Sequence, residues 1–368
     1  MNRKGFYSQN IDLFFEIVQV ALGNREGLSI RPTPDDWREL YTLSQKQTVS
    51  GVVFTALDKL SQTGIKPPID LLFEWIGESE QIRHQNLAVN KRCYEICDIL
   101  SKAGFRSCIL KGQGNAKMYF DPLSRTSGDI DVWVEGNRDD VRNFVLSQCP
   151  NAQDGIMHID FPIFDDVDVE IHYIPRHLVV PKYDKRLSQW LQGIAEEQFV
   201  NKTSLYLLDK KKVSVPTVHF NIVHQMSHMM GHMSAEGIGI RHLIDYYYVL
   251  KALYNDRSDE NYEQLLNYLG MLRFAKGIMW VEHRMLGLSP DCYIVPPSEK
   301  IGKLILKDVL DGGNFGRYRK IHSLRENGLL WRVIIDTHRL IRLFPVQPSQ
   351  VIWRLINKFF KVGRNPIH

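Results

Sequence analysis

The sequence predicts an α+β protein in which a small mixed sheet sits between helical flanks, and two changes of period carry that prediction. From Gln9 to about Lys102 apolar residues recur three and four apart. At Phe105 the pattern shortens to strand-like runs lasting to about Tyr173, and past Pro216 the helical spacing returns. Composition agrees: 368 residues, 44% hydrophobic and 24% charged, suffice for a large core and exclude a disordered, collagenous or membrane-spanning chain.

The first region, 1–103, reads as helices in IDLFFEIVQVALG, DDWRELYTLSQKQ and LAVNKRCYEICDILSKAG, punctuated by Pro32, Pro34 and Lys66-Pro67-Pro68 and closed by Gly104. The N-terminus lacks the apolar run and cleavage site of a signal peptide, and the run that follows carries Asp12 and Glu16. Five scattered cysteines without a CxxC pair point to a reducing compartment, so the expected location is cytoplasmic, with no transmembrane segment. Cys93 and Cys97 share a helix face as small apolar residues.

The middle region, 104–215, begins with a buried strand in FRSCILKG, closed by Gly112, and continues with helical spacing in QGNAKMYF up to Asp121-Pro122. GDIDVWV alternates as a strand, RDDVRNFVLSQ is helical, and GIMHIDFPIF and VDVEIHY form two strands turning at Asp165-Asp166. SLYLL and VSV suggest a further hairpin across Asp209-Lys210-Lys211-Lys212. The last region, 216–368, is helical in VHFNIVHQMSHMMGHM, in IRHLIDYYYVLKAL after Gly237 and Gly239, and in FAKGIMWVEHRML, LLWRVIIDTHRLI and QVIWRLINKFFK, with a loop in DGGNFG from Asp311.

Alternate residues of a strand share a face, so Asp129 and Asp131 project together from GDIDVWV. Asp168, Glu170 and His172 likewise share a face of VDVEIHY, and if that strand lies beside the first, Glu170 joins the aspartates in an all-oxygen site suited to Mg²⁺. Two such ions would activate an attacking hydroxyl and neutralise a triphosphate. Lys111-Gly112-Gln113 falls where a strand turns into a helix, a place for backbone N–H groups to meet phosphate, with Lys111 and Arg125 adding charge.

The LKG turn, the R-x-x-GDID strand from Arg125 through Gly128 to Asp131, and the later carboxylate strand ending in His172-Tyr173 resemble the polymerase-β-like nucleotidyltransferase superfamily. More closely, from about Asp35 to Leu253, the chain resembles its poorly characterised bacterial members with helical flanks. The resemblance implies a magnesium-dependent transfer of a nucleotidyl group from an NTP to an acceptor hydroxyl. Asp129, Asp131 and Glu170 would be the catalytic metal ligands, and Lys111, Gly112, Gln113, Arg125, Gly128 and Arg241 the nucleotide-binding residues. Much of that superfamily has Gly-Ser where this chain has Gly112-Gln113, and Glu170 stands where an aspartate is usual.

His224, His228 and His232 stack at i, i+4 and i+8 on one helix face, packed among Met226, Met229, Met230 and Met233, facing the cleft, or offered to zinc, although one straight helix rarely supplies three ligands to one ion. Arg241 and Asp245 are four apart, an ion pair on one helix unless Arg241 meets a phosphate. Net charge is +4, yet 316–368 carries eleven Lys/Arg (Arg317, Arg319, Lys320, Arg325, Arg332, Arg339, Arg342, Arg354, Lys358, Lys361 and Arg364) against Glu326 and Asp336. That end, with Trp353, Ile356, Phe359 and Phe360 in its last helix, either docks on the rest of the chain or meets an anionic partner such as nucleic acid or a membrane surface. A nucleotidyltransferase fold used only for binding is a further alternative, and the acceptor and oligomeric state have no signature in the sequence.

Overall fold

A computed structural model describes residues 9–206, 211–256, 259–319 and 337–362. Four helices come first: α1 Gln9–Ala21, α2 Pro34–Lys46, α3 Ser50–Gln62 and α4 Ile69–Lys102. Thr33 starts α2 with a capping box, its hydroxyl accepting from the Asp36 N–H while the Asp36 carboxylate accepts from the Thr33 N–H. At 34 residues α4 is longer than the sequence pattern suggests, because it serves two cores in turn. Leu71 and Trp75 near its start join one apolar cluster, and Val89, Cys93, Ile96 and Leu100 near its end join another.

The sheet region contains β1 Ser107–Leu110, α5 Gly112–Ala116, β2 Ile130–Val134, α6 Arg138–Gln148, β3 His158–Asp160 and β4 Val169–His172. The strands lie in the order β1-β2-β4-β3, with β2 and β4 parallel and both outer pairings antiparallel, so the expected mixed sheet is present. One face carries Ile109, Ile130, Val132, Val134, Ile159, Val169 and Ile171, packed with the end of α4 and with Val141 and Val145 of α6. The β3 strand is shorter than GIMHIDFPIF suggested, since Pro162 has no N–H to continue a ladder.

Then follow α7 Pro181–Gly193, α8 Ala195–Val200, β5 Lys202–Thr203, β6 Val213–Ser214, α9 Val218–Ala235, α10 Ile240–Asp256, α11 Tyr262–Tyr268, α12 Leu272–Leu286 and α13 Glu299–Gly312. A 3₁₀ turn at Asn314–Gly316, helical residues 337–343 (α14) and α15 Pro348–Val362 end the described chain. The small hairpin starts earlier than SLYLL: β5 pairs Lys202 with Ser214, whereas the Leu205 N–H is drawn instead to the Tyr94 hydroxyl at 2.8 Å. Leu207, Leu208, Asp209 and Lys210 lie outside the described residues, as do Lys320, Arg325, Glu326, Arg332, Asp336, Arg364, most of LLWRVIIDTHRLI, and the side chains of Lys358, Phe359, Phe360 and Lys361. Among the described residues no helix is long and apolar enough to cross a membrane.

The Glu282 carboxyl of α12 is fully buried, and neither oxygen has a hydrogen-bond partner. Burial pushes its pKa far up, so it sits neutral in the core, with polar atoms desolvated for no return. Replacing it with a side chain of similar length, Glu282→Met, is expected to stabilise the fold by about 1–3 kcal/mol. Thermal denaturation at pH 7 checks this, and an unchanged or lower midpoint would contradict it.

Candidate active site

The second face of the sheet is polar where the first is apolar, and pairing register decides which residues meet on it. Leu110, Asp131, Glu170 and Asp160 form one cross-strand row; Cys108, Trp133, His172 and His158 form the next. Helix α9 covers the β1–β2 end of this face, with Phe220 stacked on Trp133 at 5.8 Å between ring centroids. The β4–β3 end stays open as the floor of a cleft.

Asp131 is buried at the centre of that floor. Lys111 Nζ lies 2.9 Å from its Oδ2, and His172 Nε2 lies 2.9 Å from its Oδ1. Burial alone would raise its pKa, but these two cations hold the carboxyl well below the ordinary range. Burial lowers the pKa of His172, but its contacts with Asp131 and Glu170 outweigh that and raise it. Glu170 reaches His172 Nε2 at 3.3 Å, and that contact keeps it ionised. Asp129, just before β2, opens to the cleft; desolvation by the cleft walls and the neighbouring Asp131 charge raise its pKa. One oxygen from each of Asp129, Asp131 and Glu170 lies within 4.8 Å of the others, so the structure brings the expected carboxylates together.

The turn after β1 is built from two residues with positive φ, Lys111 at 49° and Gly112 at 37°. Gly112 supplies that geometry without strain and leaves open space above its Cα. The helix that follows is shorter than QGNAKMYF suggested: α5 spans five residues, too few for a developed dipole. Gln113 departs from the nucleotide-binding expectation, because its side chain turns away from the cleft and donates to Asn90 Oδ1 of α4 at 2.5 Å.

Arg125 and Asp245 also differ from the spacing-based reading. Asp245 pairs not with Arg241 four residues earlier but with Arg125, through two hydrogen bonds of 2.8 Å, and it accepts a third from the Tyr119 hydroxyl at 2.6 Å. Arg125, Asp245 and Tyr119 are all buried, so this triad ties the loop before β2 to α10. Arg241 is left without a carboxylate: Nη1 donates to the Thr126 carbonyl, while Nε is buried and unpartnered. Burial and the nearby Arg125 charge lower its pKa. Gly128 lies beside it.

Of the histidine row, His224 is packed and the other two face the cleft. His224 is 1% exposed and bonds the Pro175 carbonyl through Nε2; burial lowers its pKa to about 3. Lys111 Nζ lies 3.0 Å from His228 Nε2, and since an ammonium can only donate, that nitrogen accepts and His228 carries its hydrogen on Nδ1. His232 Nε2 lies 3.1 Å from the same atom.

The cleft encloses about 370 Å³ and is lined by the carboxylates, Lys111, Gly112, Arg125, Gly128 and Arg241, with His228, His232 and Arg176 opposite. A second cavity of about 700 Å³ shares Gly128, Asp129, Glu170, Arg241 and Phe315 with it, so Asp129 and Glu170 stand on the border of the two and Asp131 lines the first alone. Arg176 escaped the sequence analysis because it lies in an irregular stretch after β4. Its Nε is buried with no partner, and desolvation together with the Arg354 charge lowers its pKa to about 10. Phe315 escaped too. The only available signal was the glycine-rich turn around it, and its own φ of 51° holds the ring between His232 and His242, at 5.3 and 5.2 Å.

A family model described as an uncharacterised nucleotidyltransferase matches residues 33–287. No curated protein matches the chain, and no solved structure does.

Removing the charge of Asp245 by Asp245→Asn would leave the Arg125 guanidinium buried and unpaired, at an expected cost of about 3–5 kcal/mol. Chemical denaturation measures it, and a cost near zero would mean the triad is not structural. Stability should also fall as pH drops below about 6.5, the unfolded imidazole pKa. His224 is held neutral down to about pH 3 when folded, so below 6.5 the unfolded chain binds more protons. Thermal midpoints at pH 7 and pH 5 test this, and His224→Gln, which keeps a donor for the Pro175 carbonyl, should lessen the difference.

Proposed function

The chain belongs to this family of uncharacterised nucleotidyltransferases, and from that premise we propose that it transfers a nucleotidyl group from a nucleoside triphosphate to an acceptor hydroxyl with the help of Mg²⁺. One observation carries the reading: three carboxylates from adjacent parallel strands converge beside cations that the fold leaves unpaired.

The donor set fits magnesium. It is all oxygen, and Asp129 opens to the cleft with a pKa that burial and the Asp131 charge raise despite nearby Lys111. Mg²⁺ held by Asp129, Asp131 and Glu170 would supply charge neutralisation of the phosphates and make the acceptor hydroxyl easier to deprotonate.

The protein groups do the rest. Lys111 and His172 each hold one Asp131 oxygen, which fixes that carboxylate before substrate arrives. Arg176 and Arg241 have unpartnered, desolvated guanidinium nitrogens in the same cleft as Lys111, so a triphosphate there meets positive charge that no protein carboxylate has already taken. Gly112, free of a side chain, lets a phosphate approach the turn. The acceptor would then enter from the larger cavity on the Glu170 side. Its oxygen bonds to the α-phosphorus, the bond to pyrophosphate breaks, and ionised Glu170 takes the hydroxyl proton.

Calorimetric titration of each of the four common NTPs with Mg²⁺ tests this in the wild type and in the double variant Asp129→Ala, Asp131→Ala, with circular dichroism to verify folding. Metal-dependent binding in the wild type and its loss in the folded double variant are expected. In Arg176→Ala affinity should fall by about 1.5–3 kcal/mol, the worth of a hydrogen bond to a charged group. No binding by the wild type would remove the donor site from consideration.

A further inference from the structure

Beside the carboxylates the same sheet face presents a second set of ligand atoms with a different chemistry. His158 of β3 and His172 of β4 are register partners, and Glu170 is two residues before His172 on the same face. Glu170 Oε2 lies 3.6 Å from His158 Nδ1 and 3.3 Å from His172 Nε2, and ligand atoms of the three groups all lie within 4.8 Å of one another. Four ligands around zinc at about 2.0–2.1 Å stand about 3.3 Å apart, so both separations from Glu170 are already close to a tetrahedral edge. Two imidazole nitrogens and one carboxylate also suit zinc better than magnesium, which prefers oxygen alone.

An ordinary ion pair accounts for only half of this arrangement. His172 neutralises Asp131 and Glu170, as described above, whereas His158 makes only long contacts, Nδ1 at 3.6 Å from Glu170 and Nε2 at 3.8 Å from Asp160, and its Nδ1 is buried with no hydrogen-bond partner. Its ring is nevertheless held 5.1 Å from that of His172, with Nδ1 toward Glu170.

We propose that His158, Glu170 and His172 form a site for a borderline divalent cation of the zinc type, adjoining the carboxylate triad and sharing Glu170 with it. Binding takes His172 Nε2 away from Asp131, which keeps Lys111 as its counter-ion. One open position remains for water, since three protein ligands are one short of a closed structural site. If the nucleotidyl-transfer reading also holds, zinc competes with magnesium for Glu170 and weakens magnesium-dependent nucleotide binding; the site itself does not rest on that reading.

The test uses metal-free full-length protein without nucleotide. Zn²⁺ is titrated against a chromophoric chelator in the wild type, His158→Ala, His172→Gln and Asp129→Asn. One zinc per chain is expected, with affinity lowered by at least about tenfold in each histidine variant and changed by less than about threefold in Asp129→Asn. Co²⁺ added to the wild type should give the intense visible absorption of a low-coordinate nitrogen and oxygen site, a readout that needs no variant to fold. Three results would overturn the proposal: no zinc binding; wild-type affinity in folded His158→Ala; or an equal loss in Asp129→Asn, which would put the cation on the carboxylate triad instead.

Discussion

The architecture depends on keeping one buried carboxylate, Asp131, ionised at the middle of a sheet. A lone charge there would be prohibitively costly, so the fold brings it two cations from opposite sides. Lys111 comes from the positive-φ turn after β1, and His172 from the far end of β4. Both contacts require β1, β2 and β4 to lie in one register, since a slip of one residue would turn Asp131 into the apolar core of Ile130, Val132 and Ile171. The charge network and the sheet pairing therefore enforce each other.

The helices extend this logic. Arg125 is spent on Asp245 and Tyr119, which fastens α10 to the loop leading into β2 and leaves Arg241 one turn earlier on α10 with no carboxylate of its own. Had Arg241 taken Asp245, as their spacing allows, Arg125 would be buried without a partner. Helix α9 combines two duties in the same way: Phe220 and His224 pack, while His228 and His232, one and two turns on, line the cleft against Lys111.

What the sequence made legible was what local period can encode. The alternation in GDIDVWV and VDVEIHY put Asp129, Asp131 and Glu170 on common faces, and the change of period at Phe105 marked where the sheet begins. The rest depended on contacts distant in sequence. Gln113 faces α4 because Asn86 and Asn90 wait there, 27 and 23 residues away, and the partner of Arg125 lies 120 residues on. Arg176 belongs to no periodic element, so neither its burial nor its lack of a partner had any trace in the pattern.

The two cavities also differ in where their walls come from. Asp129, Asp131 and Glu170, with the cations Lys111, Arg176 and Arg241, all lie within the stretch 33–287 that matches the family. Phe315, Asn314 and Arg317 come from beyond it and close the larger cavity. Phe315 is held there in a left-handed conformation costing about 1–3 kcal/mol, which persists only because His232, His242 and the tightly apposed Gly237 and Gly316 fix the turn around it. The larger cavity takes most of its wall from the sheet region, and the C-terminal helical region adds Arg241, Asn314, Phe315 and Arg317 to a floor whose chemistry the sheet has already determined.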